Sequence, residues 1–363
     1  MTETVEAGMD ARRWGDELQR RTSAILTASP SPLGLMAIGR SREGREIRGL
    51  RIGSGGLRVS LIAGCHADEP VGPRLLYRLA SYLETLSDAD PLLERYEWWL
   101  IPHMNPDGAE RNSSWQARDA AAYDLVSYLA YTTREKPGED MEFNFPRAPD
   151  DEAARPENRS VYCWWREAEG PFSLHVSLHG MGFSAGPWFL IEPAWRNRYD
   201  RIRERCIRRV ETLGYRLHDV EREGEKGFFR LERGFCTRPD SRYMREHFIR
   251  QGDEETANRF LPSSMECIRS LGGDPLTLVS EIPLFITPGV GDELGPPDPV
   301  AEEWRDRITA WRAAVEGGAA DRVGPAARDA GLRPMPVSDQ MTLQWTFVAA
   351  GLEQVQLELG SGD

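Results

Sequence analysis

Cysteine is scarce in this chain. Five residues, at 65, 163, 206, 236 and 267, form no C-x-x-C pair and are odd in number. That argues against a disulfide framework and points to a reducing, cytoplasmic setting. Long apolar runs are missing as well. No window approaches the ~20 residues of a membrane span, and the opening "MTETVEAGMDARRWGDELQRR" carries no apolar signal core. No membrane partner is expected. Positive charge is in deficit: 45 Lys and Arg stand against 58 Asp and Glu, a net charge of -13. A general phosphate-backbone binder needs a basic face, so no nucleic-acid partner is expected. The basic stretch "RNRYDRIRERCIRR", Arg196 to Arg209, alternates with acids and apolar residues and reads as a solvated amphipathic helix.

What remains is an ordinary globular composition, 40% hydrophobic and 28% charged over 363 residues, enough for one large domain or two smaller ones. A helix is predicted from about Asp10 to Leu26. "MAIGRSREGREIRGLRIGSGGLRVSLIAG" then reads as three strands separated by turns, with Val59, Leu61 and Ala63 on one face. "PRLLYRLASYLETL" has helical spacing, and "EWWLIPHMNPDG" is a short strand stopped at Asn105-Pro106-Asp107-Gly108, a turn signal. Residues 110 to 160 are polar and irregular. "FSLHVSLHG", Phe172 to Gly180, is a strand, with "MGFSA" as a tight loop before "GPWFLIEP". "DPLTLVSEIPLF" is the last clear strand, "AEEWRDRITAWRAAVEG" a helix, and 316 to 340 loosely structured. Strands alternating with helices predict an α/β sandwich around a largely buried sheet.

The chemistry centres on "SLIAGCHADEPVG". Positions i and i+3 share a face on a helical turn, so His66 and Glu69 can meet one metal ion. They lie where open α/β sheets gather ligands, after a strand and before a helix. His218 and Glu221 repeat the H-x-x-E spacing in a charged, apparently exposed stretch, and there the plainer reading is chance. A catalytic zinc takes three protein ligands and leaves a fourth position for water. The remaining histidines are His103, His175, His179 and His247. His175 and His179 stand roughly 13 Å apart along one strand and cannot share an ion. His179, at the expected strand end before Gly180, is the choice, with His175 a core histidine bonded to a neighbour. Cys65 reads as a small buried residue. Glu281, in "LTLVSEIPLF", is costly on an apolar strand unless its charge is used. A buried salt bridge or cap is the plainer account, and a general base the functional one.

With these residues in view, the chain resembles the M14 zinc carboxypeptidases over roughly 35 to 290. The markers are "IGRSREGREI", "GCHADEP", "IPHMNPDG", "GEDMEFNFP", "SLHG" and "SEIPLF". The resemblance implies an α/β/α sandwich around a twisted mixed sheet. It implies one zinc per chain on His66, Glu69 and His179, with Glu281 as base and acid for a zinc-bound water. Asp140 matches the aspartate that steadies the first zinc histidine. Residues 1–34 are then a helical lead-in, 35–290 the catalytic domain, and 291–363 a helical or irregular extension packed on it.

One departure stands out. The family pattern D-x-N-R-N-F-P reads here Asp140-Met141-Glu142-Phe143-Asn144-Phe145-Pro146, so Glu142 and Phe143 replace the Asn-Arg clamp for the substrate carboxylate. Arginine's planar fork suits a carboxylate, and phenylalanine cannot imitate it. Arg134 is the best-placed substitute, as clamp or as polariser of the scissile carbonyl, with Arg111 and Arg118 behind it. Alternatively Glu142 greets a cationic group. Tyr243 is a candidate catalytic tyrosine. The expected activity is hydrolysis of an amide in a peptide or acylated amino acid. The rivals are a deacylase of the succinylglutamate desuccinylase and aspartoacylase group, or a metal-binding protein without turnover.

Overall fold

The apolar runs of the sequence become the inner strands of one mixed sheet. The computed structural model describes residues 2–117, 119–219, 221–295 and 298–359, with side chains from residue 10 onward. Its strands are β1 (Met36–Arg40), β2 (Glu46–Ile52), β3 (Leu57–Ala63), β4 (Tyr96–Ile101), β5 (Leu174–Ser184), β6 (Trp188–Ile191), β7 (Arg230–Glu232), β8 (Phe235–Thr237), β9 (Leu276–Ile286) and β10 (Arg333–Pro334). The order is β1-β2-β4-β3-β5-β9-β6-β8-β7, with β10 pairing the far end of β9. The four central strands, β4, β3, β5 and β9, run parallel; β1, β2, β6 and β7 add antiparallel pairings.

Burial is nearly continuous along the inner strands because both faces are covered, and alternate residues enter opposite cores. Val59, Leu61 and Ala63 of β3 join Trp98 and Leu100 of β4 in the larger core. Ile62, Trp99 and Ile101 face the opposite side, with Val161, Trp164 and Trp165 of the helix Pro156–Trp165. The larger core is lined by the helices Val71–Glu84, Asp200–Thr212 and Val337–Leu359. The result is an α/β fold with a mixed sheet between helical layers.

Four expectations change. Asn105-Pro106-Asp107-Gly108 opens a helix, Pro106–Arg111, rather than a turn: the Asn105 side chain accepts from the Gly108 N–H at 2.8 Å, and proline fits the first helical position. "MGFSA" is no tight loop. β5 keeps pairing with β9 as far as Ser184↔Ile286, so His179 sits mid-strand. Residues 316 to 340 hold a ten-residue helix, Ala320–Asp329, with Val323 and Ala327 buried. The first helix divides into Thr2–Arg20 and Thr22–Thr27.

Candidate metal centre

The site begins where β3 stops. Gly64 has φ of +68°, and a Cβ there would lie 2.7 Å from the His103 ring, so the chain can turn at that point only as glycine. Cys65 to Pro70 then form a tight turn in which the Glu69 N–H reaches the His66 carbonyl at 3.3 Å. That turn puts His66 Nδ1 2.7 Å from Glu69 Oε1.

β5 lies beside β3 and supplies His179, whose Nδ1 is 2.9 Å from Glu69 Oε2 and 3.1 Å from His66 Nδ1. The three donors lie within 4.8 Å of one another. Two ring nitrogens facing each other at 3.1 Å need a proton or a cation between them, since neutral imidazole nitrogens bearing lone pairs repel. Two imidazoles and a carboxylate match the protein donor set of a hydrolytic zinc. Burial favours neutral His66 and His179, but carboxylates outweigh it: Glu69 at His66, and Glu142 followed by Glu69 at His179. Without metal both rings therefore hold a proton more tightly than usual. Burial disfavours charge on Glu69 too, but the same two rings hold its carboxyl well below the usual range.

Glu281 is the register partner of His179 on β9, so both side chains project from the same face of the sheet. It is half-buried, and among the described residues its carboxylate has no hydrogen bond or ion pair. The buried salt bridge offered as the plainer account is therefore not what forms. Desolvation, then the charge of Glu69, pushes its pKa up to about 8, against the pull of His179, His66 and Arg134. Arg134 reaches into the site from the loop after the helix Leu125–Tyr131: NH1 lies 3.4 Å from Asp68 Oδ1 and NH2 3.4 Å from Glu69 Oε1. Its side chain keeps 43% of its surface exposed, so it borders both the cluster and solvent.

The other candidates lie elsewhere. His175 is fully buried between Ser60 Oγ (3.0 Å) and Ser264 Oγ (3.1 Å). His103 accepts from the Asn105 N–H, and His247 pairs with Gln251 on the outer helix Ser241–Arg250. His218 is buried against the Trp188 ring rather than exposed, while Glu221 accepts from the Glu223 N–H. Tyr243 packs on Phe229, and Arg111 pairs with Glu43. Arg118 lies outside the described residues.

The "DMEFNFP" loop does not adopt the expected arrangement. Asp140 Oδ1 accepts from the Glu142 and Phe143 N–H groups, and no bond joins it to His66 among the described residues. Phe143 is buried against Phe260. Glu142 is buried too, with Oε2 2.8 Å from Nε2 of His179. Ser177 Oγ lies at the same ring nitrogen, also at 2.8 Å. Strand alternation could have flagged Ser177, two residues before His179. Nothing in the sequence of an irregular loop announces where Glu142 points.

His66 and Glu69 from the turn after β3 and His179 from β5 form a group that could hold a metal ion, with Glu281 alongside. Residues 19–189 match the family model "Zinc carboxypeptidase", so over that stretch the chain is zinc-carboxypeptidase-like, of the M14 type. Glu281 lies beyond the matched stretch. Among curated proteins, carboxypeptidase SOL1 of Arabidopsis thaliana is 29% identical over 174 residues, covering 46% of this chain and 32% of the relative. Carboxypeptidase D of Drosophila melanogaster is 34% identical over 104 residues, covering 26% and 7%. This chain thus spans a third or less of the length of these two relatives. A metallo-carboxypeptidase structure from Burkholderia cenocepacia superposes with a TM-score of 0.42 at 15% identity, covering 92% of this chain and 66% of that one.

Proposed function

We propose that this protein is a zinc-dependent hydrolase of amide bonds in peptides or acylated amino acids, with His66, Glu69 and His179 holding one zinc ion. The observation that carries the reading is the convergence of these three donors beside a carboxylate that has no partner of its own. Zinc held there would supply Lewis acidity and a water of lowered pKa. Glu281, fixed by sheet register next to His179, accepts the proton of the attacking water and returns it to the leaving nitrogen. Arg134, at the rim, donates to the scissile carbonyl oxygen as negative charge develops on it, or to a carboxylate of the substrate.

Neither residue at the Asn-Arg clamp positions offers a fork to a substrate, since Phe143 is packed in the core and Glu142 is turned onto His179. Recognition of an unmodified C-terminus therefore cannot follow the usual family route. The burial of Glu142 also counts against its greeting a cationic group.

Metal analysis of the purified chain with a peptide and acyl-amino-acid library tests the proposal. Zinc near one per chain with amide hydrolysis is expected. Glu281→Gln should retain zinc and lose about 10²–10⁴ in kcat, whereas His66→Ala should lose the metal. A full rate in Glu281→Gln removes that residue as the base. Zinc without turnover on any amide leaves a binding protein.

A further inference from the structure

Four features of the molecule invite a role beyond the three donors and Glu281. One is a cavity of about 10 Å³ under Glu69, bordered by Gln340 and Gln344. Another is a groove among Arg12, Arg201, Arg205 and Arg208, where Asp16, Glu204 and Glu353 already offset the positive charge. A third is the buried trio Cys65, Glu142 and His179. The fourth is the pairing of Glu142 with His179, and it carries the argument furthest.

Resting on the zinc reading above, we infer that Glu142 is a positioning residue that acts on the metal through His179, taking over for a ligand what its sequence position would otherwise do for a substrate. An imidazole ligates through one nitrogen, and the group beside its other nitrogen sets the tautomer, the ring angle and the basicity of the ligating atom. His179 turns Nδ1 to His66 and Glu69, which leaves Nε2 for the protein interior. Two acceptors wait there at 2.8 Å, the Ser177 hydroxyl and the Glu142 carboxylate. Both oxygens lie at the same distance from Nε2. The carboxylate oxygen, although buried, has no hydrogen bond of its own. An ionised oxygen without a partner in the interior is costly, and the nearest compensation is the His179 ring. At 2.8 Å its charge acts on that ring directly, whichever oxygen receives the proton.

The local backbone serves this placement. Asp140 folds back to accept from the Glu142 and Phe143 amides (3.0 and 3.2 Å), a side-chain turn that fixes the direction in which residue 142 leaves the chain. Phe143, next along, anchors the loop on Phe260. The Leu261 N–H closes it onto the Phe143 carbonyl at 2.9 Å. Relative to the arrangement the family resemblance implies, the supporting carboxylate has moved from the first histidine to the second. The move uses one of the two positions that would otherwise have gripped a substrate.

The test is zinc affinity by competition with a chromophoric chelator on the full-length chain, with circular dichroism as the check on folding. Glu142→Gln keeps an acceptor but no charge and should weaken zinc about tenfold; Glu142→Leu, keeping neither, should weaken it about a hundredfold. Glu142→Asp should recover part of the loss. Unchanged affinity in a folded Glu142→Leu protein overturns the inference. So does an effect confined to KM for cationic substrates, because Glu142 would then face the substrate. Two metals per chain falling to one in Glu142→Gln also overturns it, since Glu142 would be a ligand, with Cys65. Wild-type protein that binds no zinc defeats the parent reading instead.

Discussion

Arg134 and Glu281 face the same small volume with opposite charge, and neither is committed to a stable partner at short range. Arg134 keeps 3.4 Å from both Asp68 and Glu69, longer than a strong charged hydrogen bond. Held loosely, it can swing to a developing oxyanion. Arg134→Ala should therefore retain zinc and lose about 10²-fold or more in kcat/KM, and a loss of metal instead would make it a structural counter-charge to Glu69. Glu281 must be ionised to act as a base. Its pKa is pushed up to about 8 in the metal-free site by desolvation and by Glu69, so activity should fall on the acid side of its titration. A cation on the neighbouring ligands favours the carboxylate, placing that acid limb below 8. The limb should vanish from the residual rate of Glu281→Gln, and a profile that keeps it belongs to another group. At this scale the sequence was informative where geometry is local. His66 and Glu69 meet because one turn separates them. The partner of His179 was illegible, because Glu142 reaches it from an irregular loop.

Among the elements, the helix Val337–Leu359 is the one the sequence concealed. It is buried nearly all round, from Val337 to Val355, so it lacks the polar stripe that marks a surface helix. The sequence reading offered only a helical or irregular extension over 291–363. Gly351 lets the helix approach the sheet closely: a Cβ there would lie 2.9 Å from Leu278 and 3.2 Å from Leu174. Gly351→Val should therefore overpack the contact and cost about 1–3 kcal/mol, read as a lower Tm; an unchanged Tm would mean the helix can back away. The helix also touches the site's backbone, since Gln344 donates to the His179 carbonyl at 3.2 Å. By contrast β3, β4 and β9 were readable from alternation and apolar runs alone, because sheet strands covered on both faces leave little room for polar residues. The true length of β5 was hidden by its glycines, which resemble a turn until β9 is seen beside them.

Across the whole molecule, acid should act through histidines buried without charge. Burial pushes His175 down to about 3, and His103 and His218 to about 4. Each is neutral when folded and takes a proton near pH 6.5 once unfolded. A base with a depressed folded pKa gives stability that is complete above 6.5 and declines as pH falls toward 3 or 4. For His175 the loss between pH 7 and pH 5 is on the order of 2 kcal/mol. Urea unfolding at both pH values with a chelator present should show His175→Gln starting less stable but losing about 2 kcal/mol less. An unchanged pH slope would place the acid sensitivity elsewhere. No described helix is long and apolar enough to cross a membrane.

The ladder between β5 and β9 has a bearing on how such a protein can change. The proposed ligand and proton acceptor are neighbours across one rung, His179 against Glu281, so their spacing is guaranteed by the weave of the main chain. A slip of a single rung would swing one of them through the fabric to the far surface and end the chemistry outright. The loop 132–155 brings Arg134 and Glu142 to the same place without a ladder, so their positions rest on side-chain bonds such as those from the Glu142 and Phe143 amides to Asp140.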